Sequence, residues 1–178
     1  PAAIEADQGF VSTQAPEPQF EHFFAGPTEG FALRSVLFKY HAACYGTHSS
    51  IEGVLRLKAA NHISPEDVTA IHLSVPESAL SMCNIEDPQT ALEGKFSLRF
   101  TSALALATDD TTETAFTDDA VRDAALRALL QRVSVSGNPE SLGGTEVTIC
   151  LSDGRRLSEK VDVNTPQTDL VLQWKRLG

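Results

Sequence analysis

The sequence predicts an α+β fold: a two-layer sandwich with helices packed on one face of a mainly antiparallel sheet, ending in a β-hairpin. Three observations lead there. TEVTICL and RLSEKVDV, late in the chain, both alternate apolar and polar residues and are joined through Ser152-Asp153-Gly154, and an Asp-Gly pair between alternating runs is a strong hairpin signal. TAIHLSVP sets Ile71, Leu73 and Val75 against His72 and Ser74 with the period of two of a half-buried strand. Between these strand patterns lie segments with helical spacing.

Taken in order, residues 1–30 are rich in Pro, Gly, Glu and Gln, with breaks at Pro16, Pro18, Gly26 and Pro27, and read as a linker or surface crossing. Phe10, Phe20, Phe23 and Phe24 are too apolar for a solvated tail and imply that this stretch lies against a surface. RSVLFKY, residues 34–40, has the composition of a strand. THSSIEGVLRLKAANHI reads as a helix, with Ser49 as cap, Glu52 completing a capping box, and Ile51, Val54, Leu55 and Ala59 as the buried stripe. SPED, with Pro65, marks a turn before the TAIHLSVP strand. Leu92, Phe96, Phe100 and Leu104 recur every four residues and predict one helix from Thr90 to Ala107. After the polar loop DDTTETAFT, a second helix is expected from Asp118, its N-cap, to Gln131, with Val121, Ala125, Ala128 and Leu129 on one face. In the hairpin, Val147, Ile149 and Leu151 share a face.

The 178 residues, 42% of them hydrophobic, suffice for one sizeable core. Fourteen Lys and Arg against 24 Asp and Glu give a formal charge of −10, which repels phosphate backbones and anionic lipid, so neither nucleic acid nor membrane is expected as a partner. The same charge means that a site for an anionic ligand must be a local cluster of Lys, His or Arg. Cys44, Cys83 and Cys150 are odd in number and widely spaced, without the pairs of a zinc site or the density of a disulfide scaffold, and a reducing cytoplasm is the expected compartment. No apolar run approaches the roughly 20 residues that cross a bilayer. A chain that starts at Pro1 with Met82 as its single methionine is either a processed product or a piece of something longer.

The densest cluster of reactive side chains is FKYHAACYGTHSSIEG, which holds Lys39, Tyr40, His41, Cys44, Tyr45 and His48 where a strand is expected to meet a helix. A helix N-terminus there offers unpaired N–H groups to an anion, and Lys39 and His48 add charge-assisted hydrogen bonds to a carboxylate. His41, Cys44 and His48 also have the donor types of a catalytic zinc site, but no fourth ligand or paired cysteine accompanies them, and no metal is expected. Cys44 near either histidine has the makings of a nucleophile and base, yet no oxyanion-hole loop is recognisable.

FKYHAACYGTHSSIEG, followed by ISPEDVTAIHLSV and then EGKFSLRFTSALALA, resembles the C-terminal lid segment of the MmgE/PrpD family, which includes 2-methylcitrate dehydratase, cis-aconitate decarboxylase and iminodisuccinate epimerase. The resemblance covers about residues 30–165, and the hairpin is its least distinctive part. It implies a lyase or isomerase that moves a proton beside a carboxylate of a small polycarboxylate, without an iron–sulfur cluster or other cofactor, in a crevice between this lid and a larger helical domain. It further implies a homodimer, an approach segment over residues 1–30 from the helical domain, a lid over 31–165, and a return segment over 166–178.

Carried over by position, Lys39 matches the lid lysine that faces the active site, expected to bind a substrate carboxylate or to shuttle a proton. Cys44 stands where the decarboxylase branch has a catalytic histidine, so both residues are catalytic candidates and the reaction expected is dehydration or epimerisation rather than decarboxylation. His48, which matches the family pattern, His41 and Tyr45 are the candidate substrate-binding residues. Phe100 replaces a tyrosine of several members and doubles as a core residue, while Lys95 and Arg99, four apart, are basic residues able to reach substrate or the helical domain. The rival expectation is a non-enzymatic binding or dimerisation module of the same fold.

Overall fold

The structure is a computed structural model that describes residues 9–14, 17, 36–141 and 143–164. The chain divides into two units, Pro1–Val36 and Leu37–Gly178. In the first, α1 (Phe10–Gln14) is a single turn in which the Thr13 hydroxyl donates to the carbonyls of Gly9 and Phe10 at 3.0 and 2.9 Å. Phe20, Phe23 and Phe24 lie outside the described residues, as does the return segment 166–178.

The second unit is the α+β sandwich. Its described elements run α2 (His48–Asn61), β1 (Val68–Pro76), α3 (Glu77–Cys83), α4 (Ala91–Gly94), α5 (Leu98–Thr108), α6 (Asp118–Arg122), α7 (Ala124–Leu130), β2 (Val133–Asn138), β3 (Thr145–Leu151) and β4 (Arg156–Val161). The sheet order is β2-β1-β3-β4, with β1 antiparallel to β3, β3 antiparallel to β4, and β1 parallel to β2. The parallel pair follows from the long crossover α3–α7, since parallel neighbours need a connection of a dozen residues or more. In register, Ile71 sits between Val133 and Ile149, and Leu73 between Val135 and Val147. Val68, Ile71, Leu73 and Val75 are buried, as are Val147, Ile149 and Leu151, so both predicted alternations hold. The opposite face carries exposed His72, Ser134, Ser136, Glu146, Ser158 and Lys160. The hairpin turns at Gly154, whose φ of +87° favours the one residue without a Cβ.

α2 packs on β3 and β4 and against α5, while α5 reaches β2 and α7. Residues 48–54 are buried all round the helix, wider than the predicted stripe: Leu57 is buried, Leu55 only half-buried, and Ala59 exposed. Gly53 allows this depth, because a Cβ there would stand 2.5 Å from Val147 Cγ2 and 3.1 Å from Val147 Cβ. Gly53→Ala is therefore expected to lower the unfolding midpoint: overpacking of this kind costs about 1–3 kcal/mol, more than the roughly 1 kcal/mol of helix propensity that alanine brings. Chemical denaturation checks it, and in the double variant with Val147→Ala the two losses should be less than additive.

Four expectations are corrected. Residues 36–40 of RSVLFKY form no strand, and 34–35 lie outside the described residues; the segment instead runs as a strap with Phe38 and Lys39 exposed, followed by Ala42 and Cys44, whose N–H groups donate to the Thr111 and Lys95 carbonyls rather than to a sheet edge. α2 has no capping box. It is entered through a 3-10 turn at Tyr45–Thr47 with Thr47 as N-cap and no side-chain cap bond, and Glu52 turns to other partners. The helix expected over Thr90–Ala107 is two helices, α4 and α5, because Ser97 restarts the backbone by accepting from the Phe100 N–H at 3.1 Å. As a result Phe100 and Leu104 are buried, but Leu92 is 68% and Phe96 39% exposed. The helix expected from Asp118 likewise breaks at Asp123, whose carboxylate caps α7 through the N–H groups of Ala125 and Leu126. Thr117 caps α6, the Asp118 carboxylate accepts from Ala91 N–H at 2.7 Å, and Ala125 and Ala128 are exposed. No described helix is long and apolar enough to cross a membrane.

Candidate functional site

The strap over residues 37–47 is held by its backbone. Ala42 N–H donates to the Thr111 carbonyl at 3.0 Å, and Cys44 N–H to the Lys95 carbonyl at 2.8 Å. These bonds fasten it to the loop after α5 and to the junction between α4 and α5. The three segments surround a cavity of about 520 Å³ whose lining includes Lys39, His41, Cys44, Lys95, Phe96 and Glu113.

Lys39 is exposed at this cavity and Cys44 is half-buried in its wall. The Lys95 ammonium, on a side chain only 20% exposed, meets the Glu113 carboxylate at 2.5 Å and lies 5.7 Å from the centroid of the Phe116 ring. Arg99 is not its companion: with α4 and α5 separate, Arg99 points to Asn84 at 2.6 Å and Glu86 at 3.1 Å.

Beneath the strap lies a polar core. His41 Nδ1 is 2.7 Å from Thr111 Oγ1, and Nε2 is 3.3 Å from Glu52 Oε1, within ion-pair range without the alignment of a hydrogen bond. Glu52, also buried, continues to Arg56 Nε at 3.5 Å, and Arg56 reaches Glu159 at 3.7 Å. The His41 and His48 rings meet edge to face at 4.9 Å, and Tyr45 tilts against His48 at 5.0 Å while its hydroxyl donates to the Val163 carbonyl at 3.0 Å.

His48 is 1% exposed. Burial, then the adjacent His41 and more weakly Lys39, pull its pKa down to about 4 against the backbone at Ala43 and His41, so the ring is neutral at pH 7. A neutral, buried ring suits positioning of the strap and gives no charged contact to an anion. Tyr45 is pushed up by burial and by Asp162, which keeps its hydroxyl a donor. Cys83, buried behind Cys44, is pushed up to about 12 by burial and by Cys44, and stays a thiol that donates to the Ala79 carbonyl at 3.3 Å. All three cysteines are free.

The structure thus brings Lys39, His41 and Cys44 to one cavity, places His48 under it, and sets Tyr45 against a separate hollow with Gly46, Ser49, Met82 and Val163. Among the described residues no group of three His, Cys, Asp or Glu side chains is arranged to hold a metal, and His41, Cys44 and His48 do not form one. Sequence reasoning missed Thr111, Glu113 and Glu52 as parts of the site. Thr111 and Glu113 reach it from a loop some seventy residues beyond the strap, and nothing local in DDTTETAFT marks them.

Against known proteins, residues 41–174 match the family model described as the MmgE/PrpD C-terminal domain. The match spans most of the chain. The chain belongs to the MmgE/PrpD family. A comparison with curated proteins finds no match. Membership makes this an enzyme domain of a dehydratase family, and the matched stretch begins at His41, inside the strap that walls the cavity. This MmgE/PrpD domain therefore has its densest cluster of reactive side chains and a cavity of about 520 Å³ at the same place.

Proposed function

We propose that the full-length MmgE/PrpD protein carrying this domain moves a proton beside a carboxylate of a small polycarboxylate, with elimination of water or inversion of configuration, and that this domain is the lid of the active site. The observation that supports the reading is that two lysines, Lys39 and Lys95, against one carboxylate, Glu113, line one cavity together with Cys44, in a chain whose formal charge is −10. Such a local reversal of the overall field is what an anionic substrate needs.

In this reading Lys39 draws a substrate carboxylate to the cavity and neutralises it, which makes the adjacent C–H easier to deprotonate. Cys44 lines the same cavity with its thiol beside that of buried Cys83, and in this reading its sulfur takes the place of the imidazole of the decarboxylase branch. His41 and His48 hold the strap, the first through Thr111 and Glu52 and the second as a buried neutral ring. The remaining groups that act on the reacting carbon belong to the helical domain, and the assembly is a homodimer working in the cytoplasm.

The test is proton exchange. Full-length protein in deuterated water is expected to replace hydrogen by deuterium at the carbon beside a carboxylate in at least one of a panel of di- and tricarboxylates, read as loss of the proton NMR signal. A folded protein that exchanges none of them overturns the reading in favour of a non-enzymatic binding module.

A further inference from the structure

Lys95 differs from the other lysines and arginines near the cavity in how its charge is held. Lys39 is exposed. Arg99 and Arg56 are turned to Asn84, Glu86, Glu52 and Glu159. The Lys95 side chain is mostly buried in the wall of the cavity, with its ammonium over the Phe116 ring. Its backbone carbonyl accepts the Cys44 N–H, so any movement of the strap carrying Lys39 and Cys44 is referred to the same residue.

The partner of that ammonium is equally telling. Glu113 contacts Lys95 at 2.5 Å, yet its side chain is 77% exposed, and it stands on a short 3-10 turn, Glu113–Ala115, in the loop after α5. An exposed carboxylate is loosely fixed, and a pair of this kind contributes little net stability. It also sits in the lining of the cavity. The ammonium is thus already paired with a carboxylate of the cavity lining.

Resting on the proposed reading of the cavity as a carboxylate site, we propose that Lys95 is a second carboxylate-binding residue and that Glu113 is an internal stand-in, displaced when substrate arrives. Lys39 takes one carboxylate and Lys95 another, which sets a preference for di- and tricarboxylates over monocarboxylates. Glu113 competes with weakly binding anions, because a ligand must offer the ammonium more than Glu113 does. Specificity then arises partly by exclusion, the intramolecular carboxylate rejecting ligands with nothing for the second position.

The test is calorimetric binding of citrate, succinate and butyrate to the full-length protein and its variants. Lys95→Met is expected to weaken citrate and succinate at least tenfold and to change butyrate less than threefold, with Lys95→Arg recovering most of the loss. Glu113→Gln is expected to act in the opposite direction, tightening citrate and succinate several-fold, while the same charge change at exposed Glu146→Gln has no comparable effect. Opposite signs separate this role from a structural ion pair, in which either substitution would weaken binding.

Wild-type affinity for citrate or succinate in Lys95→Met, or weaker binding in Glu113→Gln, overturns the proposal. If Lys39→Ala weakens these ligands while Lys95→Met does not, this proposal falls and the reading of the cavity stands. If the wild-type protein binds none of the three, both fall together.

Discussion

Phe100→Ala is expected to destabilise the domain by about 3–5 kcal/mol, the usual cost of removing a fully buried phenylalanine from a packed core. Phe100 is 1% exposed and is the largest of the fully buried side chains. Its ring fills the space left by Gly94, where a Cβ would stand 2.9 Å from Phe100 Cδ1, and it tilts against Phe116 at 6.2 Å between centroids. Phe116 in turn lies under the Lys95 ammonium. A cavity at Phe100 frees Phe116 to sink, so the variant should lose stability and also weaken polycarboxylate binding. Denaturant unfolding measures the first effect and calorimetry below the midpoint the second. A loss under 1 kcal/mol would contradict this view of the core.

The second large effect is on pH dependence. His48 has a pKa of about 4 in the fold against 6.5 without it, so between those values the unfolded chain binds a proton that the folded chain refuses. Stability rises with pH where the unfolded state holds more protons. The contribution of His48 is therefore complete above pH 6.5 and drains away as pH falls toward 4, by on the order of 3 kcal/mol at the lower end. Unfolding by urea at steps from pH 7 to pH 4, for wild type and His48→Gln, isolates it from the carboxylates that titrate in the same range. The wild-type curve should fall more steeply, and parallel curves would contradict the assignment. Because His48 packs on His41 and Tyr45 beneath the strap, the same acid range should loosen the segment that presents Lys39.

What could be read from the sequence was whatever has a local period. β1, β3 and β4 alternate because one face of the sheet is covered and the other open, and Asp153-Gly154 marks the turn that the +87° φ of Gly154 requires. The helices were harder. A spacing of four between Leu92, Phe96, Phe100 and Leu104 is compatible with one long helix and with two short ones, and Ser97 decides for two by capping α5. That restart exposes Phe96 at the cavity. β2, hidden behind the helix expected to Gln131, is short and ends in Gly137-Asn138, so its serine and valine alternation is visible only once that helix stops at Leu130.

The site divides in the same way. Lys39, His41, Cys44 and His48 lie within one stretch, and their density was legible. That His48 is buried and neutral, that His41 is engaged by Thr111 and Glu52, and that Glu113 meets Lys95 all depend on contacts between distant parts of the chain. Glu52 shows the limit most clearly. At the third position after Ser49 it has the spacing of a capping residue, but a histidine and an arginine compete for its carboxylate and win.

The central claim, that the cavity under the strap handles the substrate carboxylate during proton transfer, is tested most directly at Lys39. On a polycarboxylate that the full-length wild-type protein exchanges in deuterated water, Lys39→Ala should slow deuterium incorporation by at least a hundredfold while the thermal unfolding midpoint stays within a few degrees of wild type. Exchange at the wild-type rate in a folded Lys39→Ala protein would contradict the account.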